Sequence, residues 1–119
     1  MVRNNIVDFE GMMEEVQKYI KREENIELIR KAYECARVNH IGQFRKSGEG
    51  YIVHPLQVGY ILAMLRTGPK TICAGLLHDV LEDCSLSREE MAKEFGEEVT
   101  QLVEAVTKIG QLKFEDEKE

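Results

Sequence analysis

Residues 74–83 read Ala-Gly-Leu-Leu-His-Asp-Val-Leu-Glu-Asp, so His78, Asp79, Glu82 and Asp83 interrupt an otherwise apolar run. Charge placed among apolar side chains is costly unless it is paired or bound to a metal. The run lacks β-branched alternation and is expected to be helical, which puts Glu82 one turn after both His78 and Asp79, and Asp83 one turn beyond Asp79. Neighbouring positions on a helix are about 100° apart around the axis. One cation could therefore draw a ligand from His78 and another from Asp79, with Glu82 nearby. Such a mixed nitrogen and oxygen donor set suits manganese, iron or zinc better than a thiolate-preferring ion. The His-Asp pair alone, however, is read more economically as a helix end with solvated acids and a satisfied core histidine.

Two other stretches offer chemistry. In His54-Pro55, proline favours the first position of a helix and drives the preceding residue toward extended backbone. His54 is thus expected just ahead of a helix running through Leu56, Tyr60, Ile61, Met64 and Leu65, an ordinary helix start when taken alone. Residues 43–51 contain two glycines and an adjacent Arg45-Lys46-Ser47 cluster and are expected to form a loop. A guanidinium can stack on a planar ring or fork onto phosphate, and an ammonium adds a point charge. Without other signals this is a solvated surface loop.

The elements that must position these residues are helical throughout. Phe9, Met12, Met13, Val16 and Ile20 recur at helical spacing and predict a first amphipathic helix ending near Glu24. Asn25 is expected to cap a second helix with Ile26, Ile29, Tyr33 and Ala36 inward, fading at residues 39–42. The helix after Pro55 is apolar on most sides and is expected to be central. Gly68-Pro69 punctuates the chain before a helix that begins near Lys70, carries His78-Asp79 and stops near Asp83. Ser87-Arg88-Glu89-Glu90 has the capping-box pattern, with Met91 and Phe95 inward and Gly96 as the stop. A last helix is expected to present Val99, Leu102, Val103, Val106 and Ile109 on one face. There is no strand pattern, internal repeat or linker.

Composition sets the bounds. A chain of 119 residues is read as a single domain, with residues 9–110 as an ordered helical core and 111–119 as a charged tail. The formal net charge of −6 argues against a general nucleic-acid binder, so an anionic ligand needs a local basic cluster or a bound cation. Cys35, Cys73 and Cys84 lack metal-type spacing and are read as reduced packing residues. The start is polar and no apolar stretch nears the roughly 20 residues of a membrane helix. A soluble, cytoplasmic protein with no membrane partner is expected.

Taken together, Arg45-Lys46-Ser47-Gly48-Glu49, Tyr51-Ile52-Val53-His54-Pro55, residues 75–83, Phe95-Gly96-Glu97-Glu98-Val99 and Val106-Thr107-Lys108 resemble the hydrolase domain of the RelA/SpoT family, in order and at the family's spacing. The resemblance covers about Phe9 to Phe114. It implies an all-α HD-type helical bundle that hydrolyses the 3′-pyrophosphate of guanosine tetra- or pentaphosphate in the bacterial stringent response. It implies manganese(II) held by His54, His78 and Asp79, with Glu82 and Asp83 near the attacking water and Arg45, Lys46 and Ser47 on the guanine nucleotide. The family's fourth metal ligand, an aspartate in a later helix, is not among these residues.

The resemblance therefore reads as the N-terminal piece of a long bifunctional synthetase/hydrolase. Missing C-terminal helices are expected to weaken metal binding and hydrolysis and to expose apolar surface that favours self-association. Gly50, where proline is common, and Cys84, where threonine is common, depart from the pattern without removing a donor. Two alternatives remain open at this point: an HD phosphohydrolase for another nucleotide, and a non-catalytic regulatory domain.

Overall fold

The structure, a computed structural model, describes residues 8–39, 53–80 and 86–106. Among these there are six helices and no strand: α1 (Phe9–Gln17), α2 (Glu23–Asn39), α3 (Val53–Met64), α4 (Pro69–Leu77), α5 (Arg88–Phe95) and α6 (residues 97–106). The all-α expectation holds. None of the helices is long and apolar enough to cross a membrane.

Local chemistry sets several ends. Asp8 caps α1, its carboxylate accepting from the Gly11 N–H at 2.8 Å. Ser87 and Glu90 form the expected capping box at α5, the Ser87 hydroxyl accepting from the Glu90 N–H and the Glu90 carboxylate from the Ser87 N–H. Gly96 ends α5 at φ +95°, a backbone region that only glycine adopts without strain.

The α1–α2 boundary differs from expectation. α1 ends at Gln17 rather than near Glu24, because the chain there closes a tight turn in which the Lys18 N–H meets the Glu15 carbonyl and the Tyr19 and Ile20 N–H groups meet that of Val16. That turn buries Ile20 and sends the Tyr19 hydroxyl to the Thr67 carbonyl at 2.6 Å. Asn25 is no cap: α2 begins at Glu23, and the Arg22 carbonyl accepts from the Asn25 and Ile26 N–H groups.

α1 and α4 both pack against α3, and α2 packs against α4. The shared core includes Met12 and Val16, Ile29 and Ala36, Leu56 and Ala63, and Ile72, Leu76 and Leu77. Burying a side chain of this kind contributes about 1.5–3 kcal/mol relative to exposure. Met91, Phe95, Val99 and Val103 extend the core onto α5 and α6. Cys73 lies within it, burial pushing its thiol up to about 12, and Cys35 is half-buried, as packing residues should be; Cys84 lies outside the described residues.

Two faces are narrower than the periodicity implied. On α3, Ile61, Met64 and Leu65 just beyond its end are exposed, while Pro55, Leu56, Gly59 and Ala63 face inward. On α6, Leu102 and Val106 are exposed, and the inward face is Val99, Thr100 and Val103. Thr100 is tolerated there because its hydroxyl donates to the Gly96 carbonyl at 2.9 Å. Ile109 and the charged tail lie outside the described residues.

Candidate metal centre

α4 delivers the first two candidate ligands. It opens on extended Gly68 with Pro69 at the first helical position, where a missing N–H costs nothing, and Ile72 to Leu77 are all buried. The helix ends at Leu77, earlier than expected, so His78 and Asp79 lie in the turn that follows rather than in mid-helix. The cause is local. His78 Nδ1 lies 2.7 Å from the Gly75 carbonyl oxygen, the acceptor a continuing helix would have offered to the Asp79 N–H.

That contact also sets the chemistry of the ring. A carbonyl oxygen only accepts, so Nδ1 carries the hydrogen, and in the neutral imidazole Nε2 is left with the lone pair. His78 Nε2 points to Asp79 Oδ2 at 3.2 Å.

α3 supplies the third candidate. The helix begins at Val53, so His54 sits in its first turn rather than just ahead of it. Pro55 is accommodated because the first N–H groups of a helix have no intrahelical acceptor. His54 Nε2 lies 4.0 Å from Asp79 Oδ2, and the two imidazoles meet edge to face with centroids 5.2 Å apart.

His54, His78 and Asp79 each offer one donor atom, all within 4.8 Å of one another. Ligand atoms at about 2.0–2.2 Å from one ion stand at most about 4.4 Å apart, so a contraction of a few tenths of an ångström brings all three onto a single cation. The donor set fits a divalent ion chemically as well: one carboxylate oxygen with two imidazole nitrogens is the mixed oxygen and nitrogen set that first-row divalent ions accept. Asp79 and His78 are mostly buried and His54 is about one-third exposed (35%), which leaves the cluster open on the α3 side.

The structure thus brings together His54, His78 and Asp79, as expected. Glu82 and Asp83, and Arg45, Lys46 and Ser47, lie outside the described residues. Sequence reasoning assigned no role to Gly75, whose carbonyl oxygen lies against His78 Nδ1; every residue carries such a carbonyl, so no residue type signalled the contact.

The family described as HD domain matches residues 32–119. The chain belongs to the HD domain family. This HD domain is 48% identical over 103 residues to the guanosine-3′,5′-bis(diphosphate) 3′-pyrophosphohydrolase of Spiroplasma citri, covering 87% of this chain and 14% of the relative. It is 45% identical over 111 residues to the bifunctional (p)ppGpp synthase/hydrolase SpoT of Escherichia coli K12, covering 93% of this chain and 16% of the relative. It is 50% identical over 86 residues to the GTP pyrophosphokinase of Streptomyces coelicolor, covering 72% of this chain and 10% of the relative. The HD domain described here therefore spans about a tenth to a sixth of the length of these curated relatives.

Proposed function

We propose that this HD domain carries the site that hydrolyses the 3′-pyrophosphate of guanosine tetra- or pentaphosphate, as part of a bifunctional synthetase/hydrolase of the stringent response. The observation that carries the reading is the convergence of His54 from α3 with His78 and Asp79 from the end of α4. The similarity to proteins named for that 3′-pyrophosphohydrolase activity supplies the substrate class.

In this reading His54, His78 and Asp79 hold manganese(II), which when bound supplies Lewis acidity toward a water and a phosphoryl oxygen. Glu82 and Asp83 follow Asp79 closely enough in sequence to orient the attacking water and accept its proton. Arg45 stacks on the guanine, while Lys46 and Ser47 neutralise and hydrogen-bond phosphate oxygens. Hydrolysis leaves the 3′-hydroxyl and releases pyrophosphate. Asp79, with its two imidazole neighbours, holds the charge that keeps the cation in place between elements that are otherwise apolar.

Without the family's fourth ligand, the aspartate of a later helix, the 119-residue chain alone is expected to bind the ion weakly and to turn the alarmone over slowly or not at all. The test is calorimetric titration with manganese(II), with alarmone hydrolysis measured in this chain and in a version extended by the later helix that bears an aspartate. Tighter binding and turnover in the longer chain are the expected result. Robust turnover by the 119-residue chain refutes the need for a fourth ligand. Turnover in neither chain, with or without the metal, refutes the hydrolase and leaves a regulatory domain.

A further inference from the structure

α3 and α4 meet at two glycines. A Cβ on Gly75 of α4 would stand 2.5 Å from Leu62 Cδ1 and 3.1 Å from Val58 Cγ1, both on α3. A Cβ on Gly59 of α3 would stand 3.1 Å from Leu76 Cδ2 of α4 and 2.8 Å from Met12 Sδ of α1. Neither glycine has a positive φ, so neither is needed for its backbone freedom. What both provide is space: each lets the side chains of the facing helix rest directly on its backbone.

The two helices that approach so closely are those that bring the metal donors together. His54 enters from the first turn of α3, and His78 and Asp79 follow the last turn of α4. The 4.0 Å separation of His54 Nε2 and Asp79 Oδ2 is therefore an inter-helix distance, which lateral movement of α3 against α4 changes directly. Gly75 also offers its carbonyl to His78 Nδ1. One residue thus governs both the aim of His78 and the spacing of its helix from the one that bears His54.

We propose that Gly75 is a positioning residue of the metal centre, its bare Cα fixing the α3–α4 spacing at which His54 reaches the ion shared with His78 and Asp79. The proposal rests on the metal-centre reading. Its transmitting contact is Val58. The Leu62 methyl is the far end of a flexible side chain and can swing aside, whereas a β-branched residue in a helix has one strongly preferred χ1 rotamer.

The experiment titrates cobalt(II) alone into the 119-residue chain and its variants, reading affinity and coordination from the visible absorption of the ion and folding from circular dichroism and melting. Gly75→Ala is expected to weaken cobalt binding about tenfold, the low end of the range for disturbing a group that orients a ligand. Adding Val58→Ala frees the space that the new methyl needs. The double variant is expected to regain most of the lost affinity while melting lower than Gly75→Ala, because buried methyl groups are gone.

That opposition separates positioning from a merely structural role, under which affinity follows melting temperature. If Gly75→Ala does not fold, Val58→Ile crowds the same contact by one methylene from the α3 side and is expected to weaken cobalt binding with the helical signal retained. Wild-type affinity in folded Gly75→Ala or Val58→Ile, or a double variant no better than the single one, overturns the proposal. The same titrations are run on the chain extended by the later helix: a wild type that takes up no cobalt at either length overturns the metal centre and the proposal together, and the variants are read against wild type at whichever length binds.

Discussion

The two turns that bound α4 differ in their chemistry. At its start, side chains and backbone are joined by hydrogen bonds: the Tyr19 hydroxyl donates to the Thr67 carbonyl at 2.6 Å, and the Thr67 hydroxyl to the Leu62 carbonyl at 3.0 Å. Arg66 donates to the Ala63 carbonyl and to the Glu15 carboxylate, its guanidinium lying over the Tyr19 ring. These bonds hold Arg66 at φ +60°, which a non-glycine residue adopts only when its surroundings insist. At the other end, two imidazole nitrogens converge on one carboxylate oxygen. The first turn, a clasp, closes through hydrogen bonds within the protein; the second gathers three groups that each offer a possible ligand atom within 4.8 Å of one another.

Leu76 lies between the two turns and is fully buried against Gly59, so its truncation should damage both. Leu76→Ala is expected to destabilise the fold by about 2–5 kcal/mol and to weaken metal binding, both readable in one melting series with and without cobalt(II). A variant that melts as the wild type would show that the α3–α4 contact is not the core of the domain.

Next in size, His78→Ala should separate the turns. Loss of one of three ligands is expected to reduce metal affinity about a hundredfold or more, equivalent to about 2.7 kcal/mol, with a much smaller change in melting temperature without metal. Undiminished binding by this variant would remove His78 from the site.

Tyr19→Phe makes the complementary break. It removes one hydrogen bond at the clasp, worth about 1 kcal/mol, and should lower the melting temperature by about 3–6 °C for a domain of this size. Metal affinity should stay at the wild-type value. If it falls with stability, the two ends of α4 are not independent and the contrast between them weakens.

The parts of the fold that were legible in the sequence are those decided within one turn of chain. Ser87, Glu90 and Gly96 mark the ends of α5 through their own side chains or lack of one, and the structure places each in that role. A misread boundary such as the end of α1 was decided by contacts distant in sequence. Ile20 continues the spacing of Val16, yet it is buried from a turn whose direction is fixed by Thr67, 48 residues after Tyr19. His78 and Asp79 continue the spacing of α4, yet the helix ends at Leu77 and the His78 ring nitrogen lies against the Gly75 carbonyl. On α6, Leu102 and Val106 follow the apolar period but are exposed. Of the candidate site, the ligand types were legible in His54-Pro55 and His78-Asp79, while the glycine contact that sets their separation needs both helices in hand.

The smallest effect sharpens the comparison through pH. Glu15 belongs to the clasp, and its hydrogen bonds with Lys18 and then Arg66 hold its carboxyl below the usual range. A carboxyl whose folded value lies below its unfolded value, about 4.3, contributes stability that is complete above that unfolded value. The contribution is lost as pH falls through the folded value, because the unfolded chain then binds the proton first. Glu90 in the capping box and Glu97 beside Arg88 are displaced the same way, so the whole domain should lose stability in acid, and only the difference made by Glu15 reports on the clasp. Glu15→Gln should melt slightly below the wild type at pH 7, and the gap should close as the pH is lowered past 4.3 toward 3. A gap that stays constant over that range would mean that the Arg66 turn is held by Tyr19 and Thr67 alone, with the ion pair as surface decoration.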